Sequence, residues 1–238
     1  MLPRKPRLIA FDLDGTLVDS APDIAASIDR MLAELGRPPA GEESVRAWIG
    51  NGAKTLVERA LTGEMKTREQ PYEFKRGFEL FMEAYEQSLC VHSTLYPGVL
   101  DLLIALKSGS YKLACITNKP SRLTHPLIRM LGLSGFFELV ACGDEYDRPK
   151  PDPSPLVDVA AKLGVDRQFC LMVGDSVSDA KAAHAAEFML ALVEYGYHQG
   201  QRIQAMRPDV SLNVISDLLP FLEAQGSKSK IPSEGKAG

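Results

Sequence analysis

Residues 11–20, F-D-L-D-G-T-L-V-D-S, constrain this chain more than any other stretch. The apolar run Leu8, Ile9, Ala10 and Phe11 reads as a buried strand. It runs straight into Asp12 and Asp14, which the middle of a buried strand would not tolerate. Side chains alternate faces along a strand, so two carboxylates two positions apart share a side. Gly15 breaks the strand at once, which ends it at Asp12 and puts Asp14 on the turn beyond. Paired carboxylates at a strand end can bind a hard cation, or act as nucleophile and proton carrier. A calcium loop counted from Asp12 would need an acid or amide at its fifth position and Gly at its sixth. Thr16 and Leu17 stand there, so that reading fails. An Asp-Gly turn explains Gly15 but not Asp12.

The chain has 238 residues, enough for one or two domains with a sizeable core. The net charge of -4 gives no reason to expect nucleic acid or an anionic membrane as partner. No apolar run reaches the roughly 18 residues of a spanning helix. The basic start M-L-P-R-K-P-R leads into an apolar run too short for a signal-peptide core. Cys90, Cys115, Cys142 and Cys170 form no C-x-x-C pair, and Cys115 and Cys170 sit in strand-like apolar runs. All four read as reduced, and the expected compartment is cytoplasmic.

Ser20 is an expected helix cap, with Pro22 in the first turn and Asp23 three positions on. Ile24, Ile28, Met31, Leu32 and Leu35 then repeat at helical spacing until Gly36 and Pro38-Pro39. Further helices are expected over 45–49, 53–61 and 69–89, with no convincing strand among them. Residues 20–96 therefore read as a helical insert, and Tyr96-Pro97-Gly98 as its return hinge. From there helices (99–106, 123–131, 155–163, 180–186, 218–222) alternate with strands (111–116, 139–142, 169–173, 189–193, 210–215). That alternation specifies a doubly wound α/β fold with a parallel sheet. The expected division is an α/β core over 1–19 and 97–226, a helical cap over 20–96, and a disordered tail over 227–238.

Three later stretches also follow predicted strands: Ile116-Thr117-Asn118-Lys119, Pro149-Lys150-Pro151-Asp152-Pro153, and Gly174-Asp175-Ser176-Val177-Ser178-Asp179. Singly these read as a Thr-Asn turn, a solvated loop lysine, and a helix N-terminus that favours acids. Together with F-D-L-D-G-T-L-V-D-S they resemble, in order and spacing, the four motifs of the haloacid-dehalogenase-like hydrolases, in the branch that cleaves phosphate esters. The resemblance implies a Rossmann-like core with a cap inserted after the first strand. It implies Asp12 as nucleophile, Asp14 as acid and then base, and Thr117 and Lys150 as ligands of the phosphoryl oxygens. Asp12, the backbone carbonyl of Asp14, and Asp175 would hold a metal, with Asp179 beside them. Two like charges about 4 Å apart cost roughly 4 kcal/mol at an effective dielectric of about 20. Lys150 alone offsets too little of that among Asp12, Asp14, Asp175 and Asp179 beside a phosphate. A divalent cation is therefore expected, and oxygen-only ligands favour Mg2+. Free N–H groups after Asp14 and Thr117 can also hold phosphoryl oxygens.

The stretch Trp48-Ile49-Gly50-Asn51-Gly52-Ala53 and the later Tyr195-Gly196-Tyr197 are similar to phosphoglycolate phosphatases. They imply 2-phosphoglycolate as substrate, with Gly50, Asn51 and Gly52 joining Thr117, Asn118 and Lys150 in binding it. Gly50-Asn51-Gly52 also reads as a plain interhelix turn. Arg59 reads as a surface residue or as the partner of a substrate carboxylate. Glu187 stands where such sequences usually have Gly, and Ser178 and His184 also depart from the pattern; His184 reads as a surface residue. Other readings are a phosphatase for another small ester, a phosphomutase of the same fold, and a non-catalytic binding protein. A dehalogenase would lack Asp14. The partner expected is a small phosphate ester, to a monomer or homodimer.

Overall fold

The computed structural model describes residues 2–66 and 68–226. The expected tail, 227–238, lies outside the described residues. The chain forms β1 (Leu8–Phe11), β2 (Val18–Asp19), α1 (Ala21–Glu34), α2 (Glu42–Trp48), α3 (Gly52–Thr62) and α4 (Phe74–Gln87). It continues with β3 (Thr94–Leu95), α5 (Val99–Ser108), β4 (Lys112–Ile116), α6 (Ser121–Met130) and β5 (Leu139–Ala141). The last elements are α7 (Ser154–Lys162), β6 (Cys170–Gly174), α8 (Val177–Ala186), β7 (Met189–Val193), β8 (Val210–Leu212) and α9 (Leu218–Gly226).

Six strands form a parallel sheet in the order β5-β4-β1-β6-β7-β8. β1 lies between β4 and β6, with Phe11 level with Cys115 on one side and Val173 on the other. Strands β1, β4, β6 and β7 are almost wholly buried because helices cover both faces, which explains their continuous apolar runs. Ile9 and Phe11 join one hydrophobic cluster, Leu8 and Ala10 the other, so successive residues of β1 serve opposite faces. The chain leaves β1 for β4 and β5, then returns to β6 on its far side. This reversal makes the C-terminal end of β1 the topological switch point, where open α/β sheets bind ligands.

Helices α1–α4 pack as a block beside that end. The apolar stripe of α1, Ile24, Ile28, Met31 and Leu32, shares a core with Phe81, Met82 and Tyr85 of α4. Helix α4 starts at Phe74 rather than near Glu69, since Pro71 disfavours helix at the residue before it and forms a turn with Phe74. The insert also holds a strand that the sequence reading missed: β2 and β3 pair antiparallel through only two residues each, too few for alternation to register. This ribbon carries the chain out of the sheet and back.

Two expected caps take other roles. The Ser20 hydroxyl donates to Asp14 Oδ1 at 2.6 Å, and the Ser20 and Ala21 amides donate to the Tyr197 hydroxyl, each at 3.0 Å. Asp23 is buried, and its carboxylate accepts the amides of Val91, His92 and Ser93, fixing the turn that returns the chain to β3. Helix α8 keeps its box: the Ser176 hydroxyl accepts from the Asp179 amide, and Asp179 accepts from the Ser176 amide. It ends on Glu187 at φ 62, the left-handed conformation that favours glycine. The nearby Arg167 contact, at 3.9 Å between exposed side chains, offsets little of that strain. His184 is exposed, as expected.

Glu187→Gly should therefore stabilise the protein by about 0.5–1 kcal/mol, the left-handed penalty less the entropy glycine adds to the unfolded chain. The urea midpoint should rise at unchanged slope. A midpoint that stays put or falls would show that the α8 terminus is not strained.

Candidate active site

Three neighbouring strands deliver the site. Asp12 follows β1, Thr117 follows β4 and Asp175 follows β6, all at one end of the sheet. The Asp12 amide donates to Val173 O and the Thr117 amide to Ala141 O, so the ladder fixes both residues after the strands proper stop.

At the centre stands the Lys150 ammonium, buried with its side chain 1% exposed. It donates to Ile116 O at 2.5 Å and to Asp179 Oδ1 at 2.7 Å, and lies 3.1 Å from Asp12 Oδ1. The loop that carries it passes through a cis Lys150–Pro151 peptide. Asp179 is committed on both oxygens, because Oδ2 accepts from the Ser176 amide at 3.0 Å and the Ser176 hydroxyl at 2.6 Å. Asp175 is bound by neutral groups: the Thr16 hydroxyl on Oδ1 at 2.7 Å and the Tyr197 amide on Oδ2 at 2.6 Å. A Cβ on Gly15 or on Gly196 would overlap the Asp175 carboxylate, so both glycines are needed for its close approach to the backbone.

Carboxylate oxygens of Asp12, Asp175 and Asp179 all lie within 4.8 Å of one another. Burial pushes the Asp12 carboxyl up to about 7; Lys150 pulls it down and the Asp179 charge adds to the rise. Asp175 is held well above the usual carboxylate range by burial first and by the charges of Asp179 and Asp12 next. Burial works against charge on Lys150, but Asp12 and Asp179 outweigh it and hold its pKa above the ordinary lysine value. Three buried carboxylates thus face one ammonium. The surplus of negative charge, the oxygen donors and their spacing fit a small divalent cation.

The Asp14 carboxylate is not in that cluster. It pairs with Lys119, whose Nζ lies 3.1 Å from Oδ1 and 3.2 Å from Oδ2 and donates to the Tyr85 hydroxyl on α4 at 2.6 Å. Asp12, Asp14, Thr117, Asn118 and Lys119 line one cavity of about 50 Å³, closed by Ile49, Gly50 and Gly52 from the helical block. Asn118 donates to Lys150 O at 2.7 Å and Gly50 O at 3.2 Å, tying the body to that loop.

Gly50 and Gly52 reach the cavity, but Asn51 turns aside. Its amide donates to the Ser178 hydroxyl at 2.9 Å, and its Oδ1 accepts from Arg59 at 2.9 Å and Gln199 at 2.8 Å. Arg59 is neither on the surface nor on the cavity. It is 7% exposed, and its guanidinium holds Trp48 O, Met65 O and Asn51. Thr16, Ser20, Tyr85, Lys119, Ser176 and Tyr197 were missed as site residues. The only sequence signals for them were their places inside or beside the matched stretches, and Tyr85, in α4, had none. All four cysteines are free, and among the described residues no helix is long and apolar enough to cross a membrane.

The sequence model of the haloacid dehalogenase-like hydrolases matches residues 6–187. Phosphoglycolate phosphatase 1 of Pseudomonas aeruginosa is 44% identical over 234 residues, covering 97% of this chain and 85% of the relative. Phosphoglycolate phosphatase of Nitrosococcus oceani is 40% identical over 219 residues, covering 92% and 97%. The crystal structure of a predicted phosphoglycolate phosphatase from Haemophilus somnus superposes with a TM-score of 0.85 at 36% identity, covering 92% of this chain and 99% of that one. With the sheet order, the strand-end carboxylates and the buried lysine, these likenesses make the chain a member of the haloacid dehalogenase-like hydrolases.

Proposed function

We propose that the chain is a divalent-cation-dependent phosphatase that hydrolyses 2-phosphoglycolate to glycolate and phosphate through an aspartyl-phosphate on Asp12. The coarser statement, a phosphoric monoester hydrolase, rests on the family and on relatives named phosphoglycolate phosphatase. One observation carries the cation-assisted transfer to Asp12: three buried carboxylates around one ammonium at a strand end, with a second carboxylate–lysine pair on the same small cavity. The choice of 2-phosphoglycolate as substrate is supported by the names of the relatives.

The residues divide the work as follows. Among the described residues, the Leu13 amide and Lys150 both meet Asp12 on Oδ1, which presents Oδ2 for attack. Attack on phosphorus forms the Asp12–phosphorus bond as the bond to the alkyl oxygen breaks, and Asp14 gives that oxygen its proton. Asp14 then takes a proton from water as the water oxygen attacks phosphorus and frees Asp12. Thr117 and Lys150 hold the equatorial oxygens. Asp12, the Asp14 carbonyl and Asp175 would bind Mg2+, which when bound offsets the charge of the carboxylates and the phosphoryl group. Asp179 orients Lys150 and closes the start of α8. We read the α1–α4 block as a cap and the rest as the core, the ribbon being their join.

Asp12→Asn keeps the shape and removes the nucleophile. Turnover should fall about a thousand-fold or more, and no phosphoenzyme should accumulate in rapid-quench experiments with labelled substrate. More than a tenth of the activity remaining would refute the assignment.

The charge surplus predicts a pH dependence of stability. Asp12 rises from 3.8 to about 7 on folding. Between those values the folded protein holds a proton that the unfolded chain has released, so stability falls as pH rises through that window. Asp175 shifts in the same direction. In chelator, the loss from pH 5 to pH 8 should reach about 2 kcal/mol, and Mg2+ should restore it increasingly as pH rises. A Tm gap between magnesium and chelator that stays constant or narrows with pH would contradict the charged cluster.

Substrate choice is tested at the loop. Gly50 at φ 119 and Gly52 at φ 83 lie in the left-handed region, and a Cβ on Gly52 would press on Asn118 O. Replacing both with Val should raise KM for 2-phosphoglycolate about tenfold or more and affect acetyl phosphate less. Wild-type enzyme with no preference for 2-phosphoglycolate among small esters would leave only the general phosphatase reading.

A further inference from the structure

The cavity beside Asp12 and Asp14 has few charges of its own. Ile24, Ile49, Leu56, Phe81 and Leu123 form much of its wall, and its charged lining among the described residues is Asp12, Asp14 and Lys119. The neighbouring cations lie outside that lining. Lys150, whose ammonium meets Ile116 O, Asp12 and Asp179, is assigned to the phosphoryl oxygens. Arg59 is committed to Trp48 O, Met65 O and Asn51, outside the lining. Lys119 remains, its side chain 3% exposed and its ammonium held between Asp14 of the body and Tyr85 of α4.

We propose that Lys119 is the specificity-determining residue that receives the substrate carboxylate. The inference rests on the reading of 2-phosphoglycolate as substrate. The bridging oxygen of that ester, to which Asp14 gives its proton, is two bonds from the carboxylate carbon. Lys119 Nζ touches the same Asp14 carboxylate at 3.1–3.2 Å. A substrate seated with its bridging oxygen on Asp14 therefore lays its carboxylate within hydrogen-bond reach of Lys119. An ester one carbon longer sets its carboxylate one bond farther from the bridging oxygen, off the Asp14–Lys119 spacing and against a largely apolar wall. An ester with a methyl group in place of the carboxylate leaves Nζ with Asp14 alone, so the site rejects it by losing a charged hydrogen bond rather than by a clash. Tyr85 makes the selection depend on the helical block, because its hydroxyl fixes Nζ from that side.

The test compares kcat/KM for 2-phosphoglycolate and for ethyl phosphate, its counterpart without the carboxylate, in wild type, Lys119→Met and Lys119→Arg, with melting curves to confirm folding. Wild type should prefer 2-phosphoglycolate by about 100-fold or more, and Lys119→Met should lower that ratio at least about 30-fold, chiefly through KM. Ethyl phosphate should also lose some rate, since Asp14 loses its partner, but less than about tenfold. Lys119→Arg, which keeps the charge, should retain part of the preference. A ratio unchanged in Lys119→Met, or an equal loss on both esters in the folded variant, overturns the proposal while the substrate reading stands. A wild-type ratio near one overturns the substrate reading itself, and this inference with it.

Discussion

The placement of one ammonium group organises this molecule. Lys150 Nζ binds the last carbonyl of β4, the first residue after β1 and the first turn of α8, and so ties three elements at one buried point. A buried lysine is costly unless its partners are charged and close. Here the partners are close, and they outnumber it. Removing Lys150 would leave Asp12 and Asp179 buried without its charge, so the lysine is what lets the strand ends meet. Asp179 transmits the arrangement, because its second oxygen closes the box that starts α8.

The helical block is joined to this centre by polar contacts at its tip and by apolar packing at its base. The base is the core shared by α1, α4 and the body around Leu17 and Val99. The tip is the Asn51 node, where Ser178, Gln199 and Arg59 meet one side chain, with Asn118 reaching Gly50 beside it. Hydrogen bonds of this kind contribute about 1 kcal/mol each and exchange readily with water. The tip is therefore held more weakly than the packed base. Arg59 serves the node by bracing the loop backbone at Trp48 O and Met65 O while it holds Asn51 Oδ1.

The legible part of the sequence was the part whose signal is local. β1 and the acids after it could be read because an apolar run that meets carboxylates has few explanations, and the alternation after residue 97 specified the sheet. The four strand-end stretches were found at Asp12, Thr117, Lys150 and Asp175, and the structure brings all four together. Pairing was illegible. Lys119 meets Asp14 across 105 residues and Tyr85 across 34. Thr16 meets Asp175 across 159. Nothing in the spacing of these residues announces such partnerships. Ser20 and Asp23 looked like a capping box, but the hydroxyl donates to Asp14, six positions back, and the carboxylate holds a turn 70 residues on. Ser178, odd as a motif residue, makes sense as the partner of Asn51.

The crowding of carboxylates also explains why body and block divide the labour. Gly15 and Gly196 leave room for Asp175 against the backbone, and Gly174 does the same for Asp179, since a Cβ at any of the three would overlap a carboxylate. That crowding fixes where the carboxylates sit and carries no information about what a phosphate would be attached to. Under the proposed function, the remainder of the substrate projects past Asp14 into the cavity lined from α1 and α4, where a largely apolar wall meets the Lys119 ammonium. A small polyanion gains almost nothing from apolar surface. Its discrimination must come from a charge placed at the correct distance from the reacting bond, and among the described residues the cavity offers Lys119 for that role under the proposed reading.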